Sequence, residues 1–383
     1  MAAMESDAQQ PQENAQQQFL QRLNAATPRA AVTPALLAIN IGVFLVMAAL
    51  GIRVLGGRPD EYLRFGANFA PLTTGGEWWR LLTCTFVHFG VVPLAINLWA
   101  LWDTGRLTER LFGNVGFTAL YLFAGVAGSS ASMLWNQQVI GVGASGAVFG
   151  VFGALLAYMT VQRGSIPENV INRLRASSSV FVVYSLLCGF TQAGIDNAAH
   201  LGGLAGGFAT GLILARPLDP LTRHRRNVQR ALLAALLAAV TLPTAAWLTP
   251  DTSRVYRQAI ALQKEIEVFS AAENELLAAF QGVVEQSHHG KLSDADALRE
   301  LRIRILPEWD RAVARLAGVE LDAHAPTRKD YELLMRYAVA QRDTIKATAD
   351  YLETGNPAYE RMVGELHNQA QEALALYRKR QQK

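Results

Sequence analysis

Residues 111–162 read LFGNVGFTALYLFAGVAGSSASMLWNQQVIGVGASGAVFGVFGALLAYMTVQ, 52 positions without one Asp, Glu, Lys or Arg. A helix crossing a bilayer needs roughly 20 apolar residues. This stretch therefore holds two crossings, joined by the polar turn Trp135-Asn136-Gln137-Gln138. The rest of the chain agrees. Of 383 residues, 51% are apolar and 17% charged, against about a quarter charged in soluble domains, and the mean hydropathy is +0.14.

Further charge-free windows lie at 30–52, 81–102, 176–195, 197–215 and 231–250, which brings the expected crossings to seven. Only Asp196 parts the windows 176–195 and 197–215, with Gly194 as the breaker, so these two form a tight hairpin. Arginines set the orientation, because cytoplasmic loops are enriched in them. With the N-terminus in the cytoplasm, Arg106 and Arg110, then Arg163, Arg173 and Arg175, then Arg216, Arg223, Arg225, Arg226 and Arg230 all fall on the cytoplasmic side. The first loop, 53–80, carries four arginines against this rule, partly balanced by Asp60, Glu61 and Glu77. The cluster Arg223-His224-Arg225-Arg226 also suits contact with anionic lipid.

Both ends differ from this middle. The N-terminus, MAAMESDAQQPQENAQQQ, is Gln-rich and lacks a basic segment followed by an apolar one, so residues 1–28 read as a disordered cytoplasmic tail rather than a cleaved signal. All six lysines fall after residue 250. Val255, Ala259, Leu262, Ile266 and Phe269 keep helical spacing, and Pro307, Pro326 and Gly355-Asn356-Pro357 read as breaks between further helices. Residues 251–383 are expected to form a small soluble helical bundle outside the cytoplasm.

Composition excludes several functions. A net charge of +3 is too small for nucleic-acid binding, and Cys84 and Cys188 make neither a disulfide nor a zinc framework. His288-His289 is a lone pair without further ligands at metal spacing, so no metal or cofactor is expected. A transporter would carry charged groups along several crossings, and almost none are present.

An ionisable residue inside a crossing is a functional candidate by default. His200 lies in the sixth window and Ser145 opens the fourth. Both helices run inward, so depth can be counted back from Arg163 and Arg216. The separations, 18 and 16 residues, correspond to roughly 27 and 24 Å, so the two side chains lie within about 3 Å of one level. Gly202, Gly203, Gly206, Gly207 and Gly211 offer small faces for close helix contact, as do Gly146, Gly150 and Gly153. An imidazole at that level could deprotonate the serine. The helix N-terminus at Ser145, with the backbone N–H groups of Ala144 and Ser145, could meet an oxyanion. Alternatively, Ser145 is a packing residue and His200 a structural one. Asp196 and Asn197, at the mouth of the sixth window, suit helix capping.

These segments resemble the rhomboid family of intramembrane serine proteases over roughly residues 35–215. Gly143-Ala144-Ser145-Gly146 resembles its GxSG motif, Ala199-His200-Leu201-Gly202-Gly203 through Gly207 its AHxxGxxxG motif, and Glu77-Trp78-Trp79-Arg80 its first-loop motif. The resemblance implies a Ser145/His200 dyad with Asn97 at the oxyanion. It also implies single-pass membrane substrates that enter between the second and fifth crossings. One departure stands out: in HFGVVPLAINL the family's second-span histidine is replaced by Pro93, while His88 matches a different, structural histidine. Trp79 and Arg80 read as an interfacial anchor.

The expected architecture is thus an all-α membrane protein. Its parts are the tail 1–28, a rhomboid-like six-helix catalytic core over 29–216, a basic linker and seventh transmembrane helix over 217–250, and the helical domain 251–383, which could recruit substrate or partner. The expected function is intramembrane serine endopeptidase in a bacterial inner membrane. The alternative is a non-catalytic relative that binds membrane clients.

Overall fold

The computed structural model describes residues 2–162, 166–191, 195–218 and 223–381. The chain divides into two compact units, Met1–Ser253 and Arg254–Lys383. Among the described residues the structure is mostly helical with no strand, only an isolated bridge between Asn68 and Gly141.

In the first unit a helix lies over each apolar window. These are α2 (Val32–Ala49), α3 (Val91–Trp135), α4 (Ser145–Val161), α5 (Glu168–Thr191), α6 (Asn197–Leu214) and α7 (Arg223–Leu248), with α1 (Ala2–Ala26) before them. By length and composition α2 and α3 alone qualify as spans among the described residues, and α4 is a shorter apolar helix. Arg163 and Gly194 lie outside the described residues. So do the side chains of Arg173, Arg175, Arg223, His224, Arg225, Arg226 and Arg230.

The N-terminal segment corrects one expectation. Residues Ala2–Ala26 are helical rather than disordered, and Phe19 and Leu23 are buried in the main core. Arg110 fastens the segment by donating to the Thr27 carbonyl at 3.2 Å and to Asn24 Oδ1, and Thr27 Oγ1 donates to the Arg110 carbonyl at 3.1 Å. Glutamine-rich composition hid two apolar anchors one turn apart.

The second window is also corrected. The helix begins at Val91, not Leu81, because Gly90 is extended (φ 159°, ψ 176°). Residues 80–86 form short turns instead. The helix then runs on past Asp103, Arg106, Glu109 and Arg110 to Gly113, where φ 75° and ψ 160° break the helical backbone. Asp103 stays exposed, and the other three charges have partners. Arg106 lies over the Trp102 ring at 4.6 Å. Glu109, fully buried, accepts from the Val32 N–H (2.7 Å), the Thr33 N–H (2.8 Å) and Thr33 Oγ1 (2.7 Å). A carboxylate answering the open amides of a helix start is favourable even where water is absent.

The two arms of α3, residues 91–112 and 114–135, pack with α2, α4, α6 and α7 around Phe117, Leu120, Tyr121, Val148, Leu155 and Tyr158. Among the described residues, α5 touches α4 and α6.

The second unit follows water-soluble rules. Its helices are the length of α8 (Ser253–His288) beyond Ser253, α9 (Asp294–Arg299), α10 (Leu306–Ala317), α11 (Arg328–Thr354) and α12 (Pro357–Gln381). Phe269 stacks on the fully buried Trp309 at 5.8 Å, amid Leu301, Ile305, Leu316 and Ile345. Gly355, at φ 61°, ends α11, and Pro357 opens α12, as sequence suggested. Pro307 does not break the chain. A π-turn, Glu300–Ile305, links α9 to α10 and so leads helical backbone into the proline, which sits in the first turn of α10, where no N–H is needed. His288 and His289 are exposed, with ring centroids 6.4 Å apart.

Candidate active site

Glycines decide how α4 and α6 meet. A Cβ added to Gly203 would stand 2.0 Å from the Gly146 carbonyl oxygen, and one on Gly207 would stand 2.0 Å from that of Gly150. One on Gly211 would lie 2.8 Å from Ala154 Cα. The helices therefore touch backbone to backbone, in parallel and in constant register (146 with 203, 150 with 207, 154 with 211). That register sets His200 two residues from the level of Ser145, about 3 Å along the axis. The second arm of α3 closes the third side: a Cβ on Gly150 would meet Ala124 Cβ at 2.1 Å, and one on Gly128 would meet the Ala199 oxygen at 2.7 Å.

Within this frame the His200 ring stacks on Phe149, with centroids 4.2 Å apart and planes 4° from parallel. Phe149 lies one turn beyond Ser145 on the same face of α4. The imidazole is thereby held flat against the face that carries the serine. The sequence reading missed Phe149, although its i+4 spacing from Ser145 was the available signal.

The segment leading to Ser145 is tied down residue by residue. Asn68 and Gly141 exchange two backbone hydrogen bonds (2.9 and 2.8 Å), and the Gly143 N–H donates to the Cys84 carbonyl at 2.9 Å. Gly143 has φ 117°, which favours glycine there. The Ala144 N–H turns to His88 Nε2 at 3.4 Å. The Ala144 amide, expected at the oxyanion, thus has His88 as its acceptor in this structure. Ser145, first residue of α4, has no intrahelical acceptor for its N–H. Asn97 is buried on the first arm of α3, and a Cβ placed on Gly143 would lie 3.9 Å from Asn97 Nδ2 and 3.8 Å from Ser145 Oγ.

Arg80 is not an interfacial anchor. It is buried, pairs with Glu77 at 2.7 Å, and donates to the carbonyls of Leu63 (2.6 Å) and Ala67 (2.9 Å), clipping the first loop together. Trp79 is half exposed beside it. Asp196 caps α6 by accepting the Ala199 N–H at 3.0 Å. Asn197 instead donates to the Leu186 carbonyl of α5 at 3.2 Å.

One cavity of about 580 Å³ collects these groups, with Ser145, His200, Asn97 and Asp196 all on its wall. Pro93 lines it too, supplying no donor, while Ser185 and Cys188 reach it from α5. His200 is buried and Ser145 half-buried. Among the described residues no group of three His, Cys, Asp or Glu could hold a metal ion. A hydroxyl, an imidazole and an amide donor facing one partly closed space form the set that acyl transfer requires.

Comparison with known proteins points the same way. A family profile described as Rhomboid domain matches residues 75–217. The rhomboid protease GluP of Bacillus subtilis (strain 168) is 31% identical over 282 residues, 73% of this chain and 52% of that protein. RHOMBOID-like protein 4 of Arabidopsis thaliana is 38% identical over 149 residues, covering 39% and 37%. This chain thus spans about half or less of those two relatives. The rhomboid protease AarA of Providencia stuartii is 31% identical over 193 residues, 45% of this chain and 68% of that protein. With the glycine-set pairing of α4 and α6 in the matched region, these similarities establish that the chain belongs to the rhomboid family.

Proposed function

We propose that this integral membrane protein is an intramembrane serine endopeptidase acting on single-pass membrane proteins near the outer surface of a bacterial inner membrane. The observation that carries the reading is the α4–α6 contact, which turns His200, braced by Phe149, towards the level of Ser145 inside one cavity. Ser145 Oγ attacks the scissile carbonyl carbon and its proton passes to His200. The side-chain amide of Asn97 and the Ser145 N–H meet the oxyanion. His200 then gives the proton to the leaving amine, and water admitted from the outer side hydrolyses the acyl-enzyme.

Seven crossings, a cytoplasmic N-terminus and an outer helical domain over 251–383 complete the proposal. The substrate helix enters between the first arm of α3 and α5. The reach of Ser185 and Cys188 into the cavity supports that side. Residues 251–383 recruit the substrate or a partner.

Pro93 favours a second reading, a non-catalytic binder of membrane clients, because it contributes no donor to the cavity. Reconstituted in liposomes, the wild type should cleave tagged single-span proteins and label with a fluorophosphonate, while Ser145→Ala does neither. Equal behaviour of the two proteins would leave only the binder.

A further inference from the structure

Three buried polar atoms of residues on the cavity wall have no hydrogen-bond partner among the described residues: His88 Nδ1, His200 Nδ1 and Asp196 Oδ2. The last two, one turn apart on α6, complement each other. For His200 to take the Ser145 proton on one ring nitrogen, the other must already carry a proton, and that N–H needs an acceptor. A buried carboxylate oxygen, in turn, needs a donor. The two residues stand one turn apart, with the His200 N–H bonded to the Asp196 carbonyl at 3.1 Å, and both line the cavity. Helical side chains lean towards the N-terminus, which carries the imidazole towards Asp196.

We propose that Asp196 is a positioning residue for His200. Its Oδ1 caps α6 through Ala199, and its Oδ2 accepts the Nδ1–H of His200 across one cavity water. This holds the tautomer that presents the other nitrogen to Ser145. It also sets a negative charge beside the imidazolium that forms as Ser145 attacks. Asp196 is the single acid on the cavity wall among the described residues. The other titratable groups there, Cys84, His88 and Cys188, are not carboxylates. Asn197 Oδ1, also without a partner, is packed onto Gly189 of α5, where an added Cβ would meet it at 2.0 Å.

The inference rests on the Ser145/His200 reading, and the test separates the two. Asparagine caps a helix as well as aspartate does, so Asp196→Asn keeps the bond to Ala199 and removes the charge. In liposomes, Asp196→Asn and Asp196→Ala should both lower kcat at least about tenfold with KM little changed, the pattern of a group acting in the transition state. Asp196→Ser, which also keeps a capping oxygen, carries the test if the asparagine variant is not monodisperse. Wild-type kcat in the capping variants, with loss only in Asp196→Ala, would reduce Asp196 to a helix cap and overturn the inference. Wild-type activity no greater than that of Ser145→Ala would instead overturn the dyad itself.

Discussion

The tightest contact inside each unit is made by opposite means. In the first, α4 and α6 meet through hydrogen atoms, with glycine backbones touching at Gly146–Gly203 and Gly150–Gly207. In the second, large side chains fill the centre, with Trp309 and Phe269 stacked among leucines and isoleucines. The solvent explains the difference. Lipid tails are as apolar as leucine, so burying leucine against them gains little, and close van der Waals contact must hold the helices. In water, each buried aromatic ring contributes through the area it withdraws from solvent. The membrane unit gains positional accuracy from its method, because a backbone contact leaves no side chain to adjust. That accuracy is what a hydroxyl–imidazole pair needs.

The sharpest way to break the comparison is to add bulk at the glycine contact. Gly207→Val should abolish fluorophosphonate labelling, a loss above about a hundredfold, since misplacing reacting groups by 1 Å costs that much. The melting transition of 251–383, followed by calorimetry on the full chain, should stay in place. The reverse experiment is Trp309→Ala, which should lower the stability of the second unit by about 3–5 kcal/mol while labelling of Ser145 in the same sample holds. Loss of labelling there would mean that the two interiors are not independent. Within the cavity, Asn97→Ala should lower kcat by about 10²-fold, the effect of deleting one oxyanion donor. Phe149→Leu keeps apolar bulk but removes the stack, and should reduce labelling several-fold, readable as a slower rate at fixed probe. The smallest effect is the most diagnostic. Gly282 lies in α8 with open space where a Cβ would go, so Gly282→Ala should stabilise the second unit by about 0.5–1 kcal/mol. The same exchange at Gly207 should destabilise the first.

Sequence made the α4–α6 pairing legible because its signal is local and periodic: glycines recur at helical spacing, and a hydroxyl and an imidazole stand beside them. Depth counting from arginines and the structural register each bring the two side chains within about 3 Å of one level, with opposite sign: counting sets Ser145 further out, and the register sets His200 further out. The cap at Asp196 was legible for the same reason. What sequence misread depended on partners far along the chain. Nothing near Glu109 and Arg110 announces their partners, Thr33 and Thr27, more than seventy residues away. Nothing local to Ala144 announces the acceptor its amide has in His88, 56 residues earlier. The N-terminal segment looked disordered because Phe19 and Leu23 are sparse among glutamines, and their burial site is built by later helices.

Glu109 has a consequence for biosynthesis. A ribosome delivers α2 first, with the amides of Val32 and Thr33 unanswered, and the carboxylate that answers them is made 76 residues after Thr33. Hydrocarbon offers no substitute acceptor. In the proposed topology the leading end of α2 should therefore stay at the aqueous boundary until the first arm of α3 has been made beside it. The two helices settle as a pair, and a ribosome stalled before residue 109 would leave the first one unseated.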